Sequence, residues 1–238
     1  MSQQPVAAVL GIGPGLGAAV ARRFARGGFA VALMARGTDT SAPLQQEITA
    51  TGGRALSVPA DATDPTSMQA AFDRVRQALG DPAVFIYNAG AFEMGGILDL
   101  TPEQFERCWK ANCFGGFLGA QQVLRAMLRQ GRGTILLTGA TASLRGSARF
   151  ACLAVGKFGL RALAQSLARE CGPQGIHVAH VVIDGVIDTP RVRGFLPDRE
   201  AHTLLSPDAI AEVYWQLHTQ DATAWTLEID LRPAVEKF

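Results

Sequence analysis

The sequence predicts an α/β fold in one domain: a doubly wound parallel sheet of about seven strands with helices on both faces. Three observations predict it. Short apolar runs alternate along all 238 residues with longer runs of helical period. The short runs are almost continuously apolar, as strands covered on both faces are. Hydrophobic residues make up 48% of the chain and charged residues 18%, which at this length fills one substantial core. Strand–helix alternation of this period requires right-handed crossovers and a parallel sheet. No repeat, low-complexity tract or linker interrupts it, so 1–238 is read as a single domain.

The elements follow in order. "VAAVL" (6–10) is a first strand, and a Gly-rich turn leads to a helix in which Ala18, Val20, Ala21, Phe24 and Ala25 recur at helical spacing until Gly27 and Gly28 end it. "AVALMA" (30–35) is a second strand, followed by a helix around 42–52. "ALSVPAD" (55–61) is a third strand, and residues 65–79 form a helix with Met68, Ala71, Phe72, Val75 and Leu79 on one face. "AVFIYNAG" (83–90) is a fourth strand ending in a turn. Pro102 opens a long helix to Arg129 at the first-turn position where proline is tolerated. "GTILLTGA" (133–140) is a fifth strand, 150–171 a helix and "HVAHVVIDG" (177–185) a sixth strand. After a polar loop, Ser206, Pro207 and Asp208 cap a helix to about 218, and "AWTLEIDL" (224–231) is the last strand.

Composition excludes several classes. A net charge of +1 with scattered arginines leaves no footprint for nucleic acid or an anionic membrane. Cys108, Cys113, Cys152 and Cys171 form no CxxC pair and have no histidine at ligand spacing, so no metal site is expected and the thiols read as reduced and buried. The start, "MSQQPVAAVLGIGPG", has no basic segment and too short an apolar run for a signal or a span. A soluble, cytoplasmic protein is expected.

"GIGPGLG" (11–17) lies directly between the first strand and the first helix. There, glycines let the backbone turn tightly and approach a pyrophosphate that rests on the helix N-terminus. This placement points to a dinucleotide. The second strand ends in Ala35 and Arg36, about twenty residues on, where an NAD-selective fold offers an acidic side chain to the ribose. A guanidinium suits a 2′-phosphate instead, so NADP(H) is expected over NAD(H).

With these residues in view, the sequence resembles the classical short-chain dehydrogenase/reductase family over nearly its whole length. The family's TGxxxGxG turn appears as "LGIGPGLG", with Leu10 at the threonine position and Gly11, Gly15 and Gly17 in place; Gly13 and Leu16 lie within it. "ADAT" puts Asp61, followed by Ala62, where the family contacts the adenine. NNAG appears as "YNAG", keeping Asn88, Ala89 and Gly90. The mid-helix asparagine is Asn112 in "WKANCFG", and the lysine of YxxxK is Lys157. After the sixth strand, "DGVIDTP" keeps Gly185 and Thr189, while Asp184 replaces a proline. The resemblance implies a Rossmann-type fold, a nicotinamide cofactor held by these residues, a small-molecule carbonyl or alcohol substrate, and a homodimer or homotetramer. The helices 102–129 and 150–171 would then pack across a two-fold, with Phe114, Phe117, Leu118 and Phe158 facing either that interface or the sheet. The C-terminal "LRPAVEKF" would lie at a second interface or over the cleft.

The departures fall on the chemistry. Family catalysis implies a relay of Asn, Ser, Tyr and Lys. Leu153 stands four residues before Lys157 and Ala140 thirteen before that, where the family carries the tyrosine and the serine. The only tyrosines, Tyr87 and Tyr214, lie elsewhere. Positions 153 and 157 share one helix face. Leucine moves no proton, and losing a positioned acid–base group typically lowers a rate by about 10² to 10⁴. Asn112 and Lys157 remain as catalytic candidates, Lys157 also as a ligand of the nicotinamide ribose near Asn88 and the carbonyls of the fifth strand. Thr141 and Ser143 are the substrate-side hydroxyls nearest Ala140, and Arg145, Arg149 and Asp184 are further polar candidates. Three functions stay open: an NADP(H)-dependent oxidoreductase with an atypical site, a non-catalytic NADP(H)-binding sensor or partner subunit, and a scaffold without nucleotide. The substrate loop "PRVRGFLPDREAHTLL" names no chemistry.

Overall fold

In the computed structural model, residues 4–236 are described. Seven strands form one parallel sheet in the order β3-β2-β1-β4-β5-β6-β7: β1 (Val6–Leu10), β2 (Ala30–Ala35), β3 (Arg54–Pro59), β4 (Pro82–Tyr87), β5 (Gly133–Thr138), β6 (Ile176–Ile183) and β7 (Glu228–Leu231). The helices are α1 (Leu16–Arg26), α2 (Ser41–Ala50), α3 (Pro65–Ala78), α4 (Pro102–Trp109), α5 (Gly115–Gln130), α6 (Ala151–Cys171), α7 (Pro190–Phe195) and α8 (Pro207–His218).

The alternation of strand side chains divides the core in two. Val6, Ala8 and Leu10 of β1 share a layer with Phe72 of α3, Val123 of α5 and Leu160 of α6. Ala7 and Val9 face the other way, onto Phe24 of α1, Ile48 of α2 and Tyr214 of α8. Helix ends are set by local chemistry. Asp64 accepts from the Thr66 and Ser67 N–H groups before Pro65, and Thr101 and Gln104 close a capping box ahead of α4.

β1 is hydrogen-bonded to β2 on one side and β4 on the other, so the chain changes direction across the sheet there. In open α/β sheets that reversal leaves a crevice outside the C-terminal strand ends. The single long helix expected over 102–129 is interrupted: Lys110–Phe114 forms one π-helical turn between α4 and α5. Its physical reason is Asn112, whose amide Nδ2 donates to the Cys108 carbonyl at 3.0 Å and the Ala91 carbonyl at 2.7 Å. A side chain thus takes a bond inside the helical ladder. The last strand is shorter than expected: Ala222–Ala224 makes a 3₁₀ turn on the Asp221 carboxylate, and the Thr226 N–H donates to Gln220 Oε1. α7 lies in the segment expected to be loop.

Candidate cofactor cleft and its reacting end

The Gly-rich turn is fixed by backbone contacts on both sides. Gly11 N–H donates to the Met34 carbonyl of β2 at 2.8 Å, and Asn88 Nδ2 donates to the Gly11 carbonyl at 2.9 Å. Gly11 has φ +106°, and a Cβ there would lie 2.4 Å from the Ala89 backbone nitrogen, so only glycine fits. A Cβ on Gly15 would lie 2.5 Å from Thr189 Cγ2, which brings the loop after β6 down onto the turn. Leu16 and Gly17 open α1 as buried residues, and Gly15 at its N-cap gives no side-chain cap. The first-turn N–H groups therefore suit an anion. Gly13 has open space beside it.

A cleft of about 930 Å³ opens over this turn. Gly11 and Gly13 form its floor, Asn88, Ala89 and Gly90 one wall, and Asp61 and Ala62 another. Asp61 is fixed by Thr63, whose N–H and hydroxyl each donate to Oδ1 at 2.8 Å. Arg36 is exposed at the rim with no carboxylate partner among the described residues, and Asp39 lines the same rim. Arg107, Ala111 and Arg191 also line it and were not singled out from sequence. Spacing gives no signal for them, because α4 and α7 reach the cleft only through the tertiary fold. This cleft is the size and chemistry of a dinucleotide site: a turn in which Gly11 and Gly15 leave no room for a side chain, an uncapped helix N-terminus and a guanidinium with no carboxylate partner among the described residues.

At the other end, α6 carries Lys157 inward. It is 7% exposed, and its ammonium donates to the Thr138 carbonyl at the end of β5, 2.7 Å away. Burial lowers its pKa from 10.5 to about 8. Asn112 is fully buried, and its Oδ1 has no hydrogen-bond partner. A point one Cβ out from Gly90 lies 2.9 Å from that Oδ1 and 3.9 Å from Lys157 Nζ, so the two groups converge behind Gly90.

Leu153 is half-buried on α6, one turn before Lys157, and Ala140 is extended and half-buried after β5. Of the two hydroxyls expected on the substrate side, Ser143 is fully buried and accepts from the Ala140 N–H at 3.1 Å, so it caps its own turn. Thr141 is half-buried and donates to Asp184 Oδ1 at 2.5 Å. Gly185, with φ +151°, follows, and Thr189 caps α7 by accepting from Val192 N–H at 3.2 Å. The two tyrosines are committed to the core. Tyr87 donates to the Ala111 carbonyl at 2.6 Å, Tyr214 is 2.8 Å from Thr138 Oγ1, and burial raises the pKa of both. Below the site, His180 Nδ1 meets Glu228 at 3.0 Å, and Arg161 grips the same carboxylate at 2.6 and 2.7 Å. Burial lowers the His180 pKa to about 4, so it is neutral near pH 7. Among the described residues no cluster suits a metal ion, and no helix is long and apolar enough to cross a membrane.

A seven-stranded parallel sheet with its crevice at the reversal point and a glycine cradle beneath defines a Rossmann-type nucleotide-binding protein. Comparison with known proteins narrows the class. A family profile for short chain dehydrogenase matches residues 5–200. The short-chain dehydrogenase/reductase eriH of Hericium erinaceus is 31% identical over 247 residues, covering 97% of this chain and 98% of its own. A short-chain dehydrogenase from Rhodopseudomonas palustris superposes with TM-score 0.85 at 40% identity, covering 98% of this chain and 100% of its own. A metagenomic short-chain oxidoreductase solved with NADP has TM-score 0.85 at 28% identity, covering 98% and 99%. The chain belongs to the short-chain dehydrogenase family and is an oxidoreductase of that family.

Proposed function

We propose that the protein moves hydride between NADP(H) and the carbonyl or alcohol carbon of a small-molecule substrate, at a site where Leu153 and Ala140 replace the usual tyrosine and serine. Lys157 carries this reading. A buried ammonium without a carboxylate partner is costly, and its bond to the Thr138 carbonyl offsets only part of that cost. In this reading it holds the nicotinamide ribose, beside an unsatisfied Asn112 Oδ1.

In this reading the Gly11–Gly17 turn and α1 hold the pyrophosphate, and Arg36 takes the 2′-phosphate. Asp61 and Ala62 flank the adenine. Asn88, Ala89, Gly90 and Lys157 hold the nicotinamide-side ribose, and Gly185 and Thr189 close over the nicotinamide end. The cofactor supplies or accepts the hydride. The protein's own part is to orient the substrate, exclude water and handle one proton. Lys157, with a pKa near 8, is able to give or take a proton near neutrality. Asn112 Oδ1 is an acceptor aimed at the same space.

The absence of hydroxyls at both Leu153 and Ala140 favours a second reading, a non-catalytic NADP(H)-binding sensor or partner subunit. A homodimer or homotetramer is supported by the outer face of α4–α6, where Trp109, Phe117, Val155 and Phe158 are exposed and the Trp109, Phe114 and Phe117 rings stack. Leu118, by contrast, faces the sheet. We assign the protein to the cytoplasm on its reduced thiols. Calorimetric titration tests the cofactor assignment: NADPH binds, and binds more tightly than NADH. Binding of neither overturns it.

A further inference from the structure

Asp184 stands just past β6, where the family pattern has a proline, and it is 7% exposed. Burying a carboxylate requires partners, and it has two. The Thr141 hydroxyl donates to Oδ1 at 2.5 Å, and an Arg232 guanidinium nitrogen lies 3.4 Å from Oδ2. Thr141 is the residue after Ala140, and it is half-buried where Asp184 is shut in. A hydroxyl next in the chain to Ala140, on the segment between β5 and α6, therefore stands in front of a buried carboxylate. The charged and titratable groups around it are Arg232, just past β7 and paired with Asp230 of β7, and, four residues back in β6, His180 with Glu228 and Arg161.

Resting on the oxidoreductase reading, we propose that Thr141 and Asp184 are the proton relay of this site, acting on apolar secondary alcohols and the corresponding ketones. In the oxidation, the alcohol O–H donates to Thr141 Oγ1 while the Thr141 proton passes to the Asp184 carboxylate. The carbon–hydrogen bond breaks with its electron pair leaving to the oxidised nicotinamide dinucleotide, and the carbonyl forms. The net products are a ketone, a reduced dinucleotide and a protonated Asp184, which returns its proton to solvent. Reduction runs the same transfers backwards. Arg232 compensates the resting charge of Asp184. The substrate's carbon skeleton lies on the start of α6, which is apolar: Leu153 stands in its first turn, and the Phe150 ring meets Phe92 at 5.6 Å.

The test measures kcat and KM against pH for apolar secondary alcohols with NADP⁺, alongside calorimetric NADPH affinity and thermal stability. Asp184→Asn and Thr141→Val should each lower kcat by about 10²-fold or more while NADPH affinity is kept. Thr141→Ser, which keeps a hydroxyl, should restore most of the rate. A lower melting temperature with the rate intact makes the pair a structural staple and overturns the relay alone. Should Asp184→Asn not fold, the Val and Ser variants at Thr141 decide, and equal rates for the two overturn the relay. An unmodified protein that binds NADPH but turns over no alcohol or ketone overturns the oxidoreductase reading, and the relay with it.

Discussion

The two ends of the cleft differ in what holds them. Over β1 and β4 the glycine turn is held by close packing: Gly11 against the Ala89 nitrogen, Gly15 against the Thr189 side chain, and Asn88 Nδ2 on the Gly11 carbonyl. Over β5 and β6 the contacts are made by side chains, Thr141 with Asp184 and Lys157 with a single backbone carbonyl. At the first end a side chain on Gly11 or Gly17 collides with main chain, and both glycines of the family pattern stand. At the second, an alteration costs the fold little. Leu153 and Ala140 fit where tyrosine and serine would be, because neither position carries a hydrogen bond the sheet depends on. Binding is written into the backbone, and proton chemistry into replaceable side chains.

The largest effect expected from breaking this contrast is at the reacting end. Leu153→Tyr combined with Ala140→Ser should raise kcat/KM for ketone reduction by about 10² to 10⁴, with NADPH affinity unchanged. An unchanged rate would show that the reacting end does not lack a tyrosine. At the backbone end, Gly11→Ala should cost about 3 kcal/mol or more of stability, since it combines a strained φ with a main-chain collision. Chemical denaturation reads this, and an alanine variant within about 1 kcal/mol of the parent would contradict the account of the turn.

Lys157 sharpens the contrast through pH. Its folded pKa, about 8, lies below its ordinary 10.5, so the unfolded chain binds the extra proton between those values. Stability should therefore rise across pH 8 to 10.5, by about 3 kcal/mol at most, from this group. Lys157→Met should remove that rise in a urea series and be relatively more stable below pH 8. A rise of the same size in the variant would assign it elsewhere. The smallest effect is at the rim. Arg36→Ala should weaken NADPH by about tenfold or more, the worth of a charge-assisted bond, and leave NADH nearly unchanged. Equal loss for both would remove Arg36 from phosphate recognition.

Much of the first end was legible in the sequence. The glycine spacing, "YNAG" and the strand runs are local signals. The second end depends on contacts between distant segments. Thr141 and Asp184 are 43 residues apart, and the Arg161–Glu228 pair is 67 apart. The π turn at Asn112 was hidden because its cause, a bond to the Ala91 carbonyl, is tertiary. Ser143 read as a cleft hydroxyl because nothing local shows that it turns back to cap Ala140.

The central claim is that the reacting end still transfers hydride. The most direct measurement follows NADPH oxidation by the unmodified protein across ketones, aldehydes and activated alkenes. Substrate-dependent turnover, strongest for apolar carbonyls, is the result predicted. Tight NADPH binding with no turnover on any of them would contradict it.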